Sequence, residues 1–367
     1  MSSEEPMVPV TMPSLPRLEE YMDALRPAWE SGILTHNGPL VRELESRLKA
    51  RFNIKHLVAV TNGTVALQLS LHALGIQGEV ITTPFSWIAT CSAIKWEGCV
   101  PSFADVDAET FNIDPEQLEA RITPRTSAIM PVHVFSNPCE IEAIDEIARR
   151  HKLNVIYDAA HAFGVTYKGR TILDYGDISA TSFHATKLFN TGEGGACATT
   201  DAELATRLQR ARFFGHDDQK SIVEDGLNGK MTEVHAALGL ANLPQLDAVL
   251  ARRRQIDHQY RQELSDVSWV RFQRIQEDAN NFSYMPIVFD RESQLEKAVA
   301  ALQQQRIYAR RYFRPSLNTV EAVGSYSNCP VSESLSARIL CLPSFHQLPD
   351  STISRVCEVI RRMDRVS

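Results

Sequence analysis

The sequence predicts an α/β protein, with a mostly parallel central sheet covered by helices and a smaller α+β domain at the C-terminal end. Short apolar runs alternate with helical stretches from Leu57 to Arg212. Strands buried on both faces and joined through helices call for a parallel sheet with helices over it. At 367 residues the chain exceeds one small core, and it divides into a large α/β domain over 1–245, N-terminal helices included, and a smaller domain over 246–367. Ligands in such sheets bind beyond the strand C-termini, so the residues at strand ends are the first candidates for chemistry.

In chain order, residues 1–16 carry four prolines and read as an extended lead-in. Leu18, Tyr21, Met22, Leu25 and Trp29 recur at helical spacing; Pro27 should kink or shorten that helix and Gly32 should end it. A second amphipathic helix shows Val41, Leu44 and Leu48 on one face. The repeat then begins with strand 57–60, turn 61–64 and helix 65–74, followed by strand 79–83, the segment Pro84-Phe85-Ser86-Trp87 and a helix through Trp96. Further strands are expected at 99–103, 127–134 and 154–157, with a helix over 141–150. A strand-like 180–183 runs into Ser182-Phe183-His184-Ala185-Thr186-Lys187 and, just behind, Glu193-Gly194-Gly195; strand 196–200 and helix 201–212 follow. The loop 226–231 leads into a helix rich in alanine and leucine, and a charged helix over 245–262 bridges to the second domain, where 282–289 reads as a strand and 292–304 as a helix.

Composition excludes several classes. The formal charge is −7 and no basic stripe stands out, which argues against nucleic acid as a partner. No apolar stretch approaches bilayer length and the acidic start lacks a signal-peptide core, so no membrane association is expected. Seven scattered cysteines with no Cys-x-x-Cys pair fit reduced thiols, which predicts a cytoplasmic location. No metal site is assigned.

Four stretches fall at strand ends: Asn62-Gly63-Thr64, Phe85-Ser86-Trp87, Asp158-Ala159-Ala160-His161 and Ser182 through Lys187. Gly63 and Thr64 open a helix, so their N–H groups either cradle an anion or merely form a turn and cap. Ser182 divides in the same way between local hydrogen bonding and phosphate binding. Trp87 is either core or a platform for a flat ring. Asp158 ends a buried strand and needs a partner, either a structural cation or a protonated heterocyclic nitrogen. An amine able to form a Schiff base, a carboxylate, an aromatic face and an anion cradle are together what pyridoxal phosphate requires.

With Ser-Phe-His-x-x-Lys, the following Glu-Gly-Gly and the upstream Asp-Ala-Ala-His in place, the chain resembles the DegT/DnrJ/EryC1/StrS sugar aminotransferases from about Thr35 to near its C-terminus. The resemblance implies a fold type I pyridoxal-phosphate transferase. Within the family the likeness is greatest to enzymes that aminate C4 of a dTDP-linked 4-keto-6-deoxyhexose. It implies Lys187 as the Schiff-base lysine, Asp158 as partner of the pyridine nitrogen, Trp87 against the ring, His161 near the phenolic oxygen, and Gly63, Thr64 and Ser182 at the phosphate. It implies that Asn228 reaches the cofactor phosphate of a neighbouring subunit, hence an obligatory homodimer with shared active sites. The sequence departs from the family at Phe135-Ser136-Asn137-Pro138, where the aromatic residue is more often followed by glycine. Family members in which the lysine is replaced are dehydratases; here it is present.

The reaction so implied is ping-pong transamination, with L-glutamate as donor, pyridoxamine phosphate as the intermediate cofactor form and a nucleotide-linked keto sugar as acceptor, serving glycan or O-antigen synthesis. Amination at C3, a GDP- or UDP-linked sugar, and a non-catalytic cofactor-binding regulator stay open. A Rossmann oxidoreductase is disfavoured because no Gly-x-Gly-x-x-Gly follows the first strand. His184, His216 and the cluster Arg310, Arg311 and Arg314 are each open between a ligand contact and ordinary packing or surface charge.

Overall fold

The computed structural model describes residues 6–275, 280–324 and 326–363. Two helices come first, α1 (Leu18–Ser31) and α2 (Pro39–Phe52). Pro27 lies inside α1 without ending it, and the helix runs on to Gly32. Packing of α1 along the later helix at Glu233–Asn242 outweighs the backbone hydrogen bond that a proline forfeits. The same later helix supplies Glu233, fully buried, whose carboxylate accepts from the N–H groups of Leu40 at 2.7 Å and Val41 at 3.1 Å. It thereby caps the positive end of α2.

The large unit continues with β1 (His56–Val60), α3 (Gly63–Ala73), β2 (Glu79–Thr82), α4 (Ile88–Trp96), β3 (Val100–Phe103), α5 (Pro115–Glu119), β4 (Thr126–Met130), α6 (Ile141–His151) and β5 (Asn154–Asp158). A small hairpin, β6 (Thr166–Tyr167) and β7 (Arg170–Thr171), precedes β8 (Ile178–Ser182), β9 (Gly195–Thr199), α7 (Ala202–Ala211) and α8 (Glu233–Asn242). Seven strands form one sheet in the order β1-β9-β8-β5-β4-β2-β3. The pairs from β3 across to β8 are parallel, and β9 runs antiparallel to both of its neighbours. The mostly parallel sheet expected from the sequence is therefore present, with one reversed strand. An antiparallel neighbour needs no crossover helix, so the chain returns from β8 to β9 through the loop 183–194, which carries Lys187.

Two strand expectations ran too long, and both misses matter for the site. The strand expected at 127–134 stops at Met130, because Pro131 cannot continue the ladder and the chain turns at Val134–Ser136. The strand expected at 282–289 is β-structure only from Pro286; Phe282 takes a left-handed φ of 53°.

The second unit holds α9 (Leu246–Glu263), β10 (Val270–Phe272), β11 (Pro286–Phe289), α10 (Glu292–Gln304), α11 (Pro330–Arg338), β12 (Ile339–Cys341) and α12 (Asp350–Arg361). Its three strands pair antiparallel in the order β10-β11-β12 over a separate apolar core that includes Ile256, Tyr260, Ile287 and Ile353. It packs on the large unit through a shared apolar cluster that includes Phe85, Phe135, Val288 and Ile339, and hydrogen bonds add to that contact. Asp105 caps α11, accepting from the N–H groups of Val331 at 2.8 Å and Ser332 at 2.9 Å. The proline-rich lead-in stays extended and free to pair, so Val8 bridges Ile307 and Val10 accepts from the Ser344 N–H at 2.9 Å. Among the described residues no helix is long and apolar enough to cross a membrane.

The glycine pair behind Lys187 has a steric cause. A β-carbon on Gly195 would lie 2.6 Å from the Asn62 carbonyl carbon and 2.8 Å from the Gly63 nitrogen. Both are backbone atoms that cannot step aside. Gly195→Ala should lower stability by about 2 kcal/mol, measurable as a lower midpoint in chemical denaturation; an unchanged midpoint would refute this close approach.

Candidate active site

A cavity of about 900 Å³ opens at the C-terminal ends of the parallel strands, and all four strand-end stretches line it. At one side stands the start of α3. Asn62 caps the helix, its Oδ1 accepting from the Val65 N–H at 2.9 Å, while the N–H groups of Gly63 and Thr64 lie in the first turn, where no intrahelical acceptor exists. Those donors and the helix dipole favour an anion. A β-carbon on Gly63 would come within 2.8 Å of the Ser182 β-carbon, so glycine is what lets the end of β8 join the cradle. Trp87 precedes α4 at the cavity wall, 51% exposed, with the Arg310 guanidinium 5.6 Å from its ring centroid.

At the floor, β5 delivers Asp158. Its Oδ2 accepts from the Thr90 hydroxyl at 2.8 Å and its Oδ1 from the Ala160 N–H at 3.1 Å, while Ser86 in turn bonds Thr90 at 2.8 Å. Among the described residues no lysine or arginine lies at ion-pair distance from it. Burial pushes the Asp158 carboxyl pKa up, against the opposing pull of the Ala160 N–H, the Thr90 hydroxyl and the Lys187 charge. This oriented, desolvated carboxylate lacks a cation.

Lys187 reaches into the same space, its Nζ donating to the Tyr284 hydroxyl at 2.9 Å. Loss of water lowers its pKa to about 8, although the Asp158 charge acts to raise it. Burial thus pushes acid and amine alike toward their neutral forms. His161 is buried beside them, and its Nδ1 accepts from the Phe135 N–H at 3.3 Å, which leaves Nε2 to carry the ring proton. Burial, with a smaller contribution from Lys187, holds His161 well below the usual histidine range. The Phe135 N–H is aimed at His161 by a turn in which Phe135 and Ser136 both take left-handed conformations, φ 53° and 70°. Ser136 holds this conformation where glycine would be unstrained; its hydroxyl donates to Asn280 Oδ1 at 2.5 Å.

This donor set fits pyridoxal phosphate: an unpaired buried carboxylate for a ring N–H, a cradle that Gly63 keeps open for a phosphate, and an amine of lowered pKa for an aldehyde. The DegT/DnrJ/EryC1/StrS aminotransferase family model matches residues 17–361. The chain belongs to the DegT/DnrJ/EryC1/StrS aminotransferase family. The dTDP-4-amino-4,6-dideoxy-D-glucose transaminase of Shigella dysenteriae is 40% identical over 364 residues, covering 96% of this chain and 98% of its own. The GDP-perosamine synthase of Escherichia coli O157:H7 is 34% identical, covering 96% and 97%. The crystal structure of DesI in the presence of its TDP-sugar product superposes with a TM-score of 0.92 at 36% identity, covering 98% of this chain and 93% of that one. The cofactor of this DegT/DnrJ/EryC1/StrS member is pyridoxal phosphate, in its pyridoxal and pyridoxamine forms.

Of the residues singled out from the sequence, Gly63, Thr64, Trp87, Asp158, His161, Ser182 and Lys187 come together around one cavity, and Asn228 does not line it. Asn228 pairs with Phe213 across a bridge, and its Oδ1 receives the Lys230 amine at 2.5 Å. His184 lines the cavity with Nδ1 bonded to the Thr186 hydroxyl at 2.8 Å, whereas His216 lies outside it, its Nδ1 2.9 Å from the Phe213 carbonyl. Arg311 and Arg314 both pair with Glu292, at 2.7 and 3.1 Å, and Arg310 alone of the three lines the cavity. Sequence reasoning missed Tyr284 and Thr90. Tyr284 sits in an apolar run that reads as strand, so its phenol looked like core; Thr90 lies one helical turn beyond Ser86 in α4, a spacing that signals a shared face but not a shared target.

The amine predicts its own test. In cofactor-free protein, acylation of Lys187 followed by peptide mass spectrometry should rise through an apparent pKa near 8. Tyr284→Phe removes an acceptor that favours the charged amine and should move that midpoint lower; a midpoint in the ordinary lysine range would contradict the desolvated site.

Proposed function

We propose that this protein transfers the amino group of L-glutamate to the C4 keto group of dTDP-4-keto-6-deoxy-D-glucose, acting in the cytoplasm as a homodimer and supplying an amino sugar for glycan or O-antigen synthesis. The observation that carries the aminotransferase reading is the meeting of Lys187, with its lowered pKa, and the unpaired Asp158 in one cavity with an anion cradle. Support for C4 of a dTDP sugar comes from the Shigella dysenteriae relative and from DesI. Support for the dimer comes from Asn228, which does not line its own chain's cavity, and from exposed apolar side chains such as Trp29 (72%) and Ile222 (74%).

When bound, pyridoxal phosphate supplies an electrophilic aldehyde and a ring that accepts electron density from the amino donor. The chain's own groups do the rest. Asp158, held by Thr90 and Ala160, would face the ring nitrogen and keep it protonated, gaining there the cation it lacks. Gly63, Thr64 and Ser182 would hold the phosphate. Lys187, partly neutral near physiological pH, takes the proton from the donor's α-carbon and returns one to C4 of the sugar, acting as base and then as acid. Tyr284 receives the amine's N–H and fixes its position. Phe135, Phe313 and the buried His161 wall off the floor from water.

Lys187→Ala should abolish both the visible absorbance of the lysine-bound cofactor and all turnover; survival of either would end the assignment. L-glutamate should convert wild-type protein to the pyridoxamine form, which a non-catalytic regulator would not do. A second acceptor is favoured by a specific relative, the GDP-perosamine synthase, so dTDP-, GDP- and UDP-linked 4-keto and 3-keto sugars should be assayed together with product analysis by NMR. The dTDP-linked 4-keto sugar should give the highest kcat/KM, and equal rates on 3-keto sugars would exclude the C4 preference.

A further inference from the structure

Resting on the reading of an aminotransferase with two anionic substrates, we infer that Arg310 is the anion receptor at the cavity mouth. It would hold in turn the diphosphate of the sugar nucleotide and the side-chain carboxylate of the amino donor. Two side-chain observations single it out. The segment 310–314 carries three arginines, and two of them are spent on Glu292. Arg310 instead places its guanidinium 5.6 Å from the Trp87 ring centroid and 4.7 Å from that of Tyr312. The same guanidinium also donates to the Tyr312 hydroxyl, so the rings and that phenol steady it. A guanidinium carries five N–H donors in a planar fork, and those not spent on Tyr312 can still grip phosphate or carboxylate.

Its backbone is also fixed. The Arg310 N–H donates to the Cys341 carbonyl at 3.0 Å and the Cys341 N–H returns to the Arg310 carbonyl at 2.8 Å, so the residue hangs from the buried end of β12. Only the side chain is left to adjust.

The charge inventory of the cavity points the same way. Among the described residues that line it, the lysine and arginine are Lys187 and Arg310, and the carboxylates are Asp158 and Glu193. Lys187 is committed to the reacting carbon at the floor. Arg310 is exposed at the mouth and reads the part of a substrate distant from that carbon. Glutamate carries its second carboxylate there, and a 4-keto sugar nucleotide carries its diphosphate across the ring from C4. In a ping-pong cycle the two never bind together, so one cation serves both.

The test is equilibrium binding to protein loaded with pyridoxamine phosphate, so that the phosphate cradle is filled, with a parallel titration of cofactor-free protein. The probes are dTDP, thymidine and the unreactive dicarboxylate glutarate, read by calorimetry and by Trp87 fluorescence. Arg310→Gln should weaken dTDP and glutarate by at least about tenfold and leave thymidine unchanged, Arg310→Lys should fall between, and Arg314→Gln should behave as wild type. Loss for dTDP alone or for glutarate alone overturns the shared role and leaves Arg310 with the diphosphate or the donor carboxylate only. Wild-type affinity of Arg310→Gln for both probes overturns the inference, as does equal weakening of thymidine. Unchanged melting temperatures of the variants guard against misfolding, with Arg310→Lys deciding the matter if the glutamine variant is unstable. If glutamate fails to convert the cofactor while dTDP binding still depends on Arg310, the reaction falls and the receptor stands.

Discussion

The backbone of β9 at Gly195 lies directly against the turn between β1 and α3, closer than any side chain allows. Much of the site depends on that approach. It seats the first turn of α3 beside Ser182, itself accommodated because Gly63 has no side chain, and so brings an anion-favouring helix end to the terminus of β8. The reversal that makes β9 antiparallel also folds the loop 183–194 over the strand ends, and Lys187 sits in that loop. A parallel crossover at this point would carry the chain away across a face of the sheet.

Desolvation is the second organising term. Asp158 and Lys187 share a floor walled by aromatic rings, and water loss moves each toward neutrality. Neither group is relaxed alone: the carboxylate has hydroxyl and amide donors but no cation, and the amine rests on a phenol. A buried carboxylate in want of a positive partner is costly unless a ligand completes it, and in the proposed reading a protonated ring nitrogen would do so. The cost of burying this carboxylate and its preference for a cationic ligand group have the same electrostatic origin.

The smaller unit is part of the site as well as a lid on its fold. Tyr284 comes from the irregular chain just before β11, and Arg310 hangs from β12 through paired backbone hydrogen bonds. Asp105 capping α11 and the lead-in pairing at Val8 and Val10 hold that unit against the sheet. Lys187 and Asp158 thus stand on the large unit, whereas Tyr284, which accepts from the Lys187 amine, and Arg310 at the cavity stand on the small one.

Much of this was legible in the chain itself. Alternating apolar runs and helices specify a parallel sheet because each strand must be covered on both faces, and strand ends are where such sheets bind ligands. Asn62-Gly63-Thr64, Asp158, Ser182 and Lys187 were therefore visible as candidates before any contact was known, and their residue types narrowed the chemistry to one cofactor. Tertiary structure decided what spacing along the chain cannot encode. Tyr284 meets Lys187 across 97 residues and Thr90 meets Asp158 across 68, contacts set by how two units and a helix pack. Arg310, Arg311 and Arg314 are chemically alike in sequence; only packing commits two of them to Glu292 and leaves Arg310 facing the cavity. Residue chemistry is local and can be read in order, whereas the partner that gives a charge its role is chosen by distance in the folded molecule.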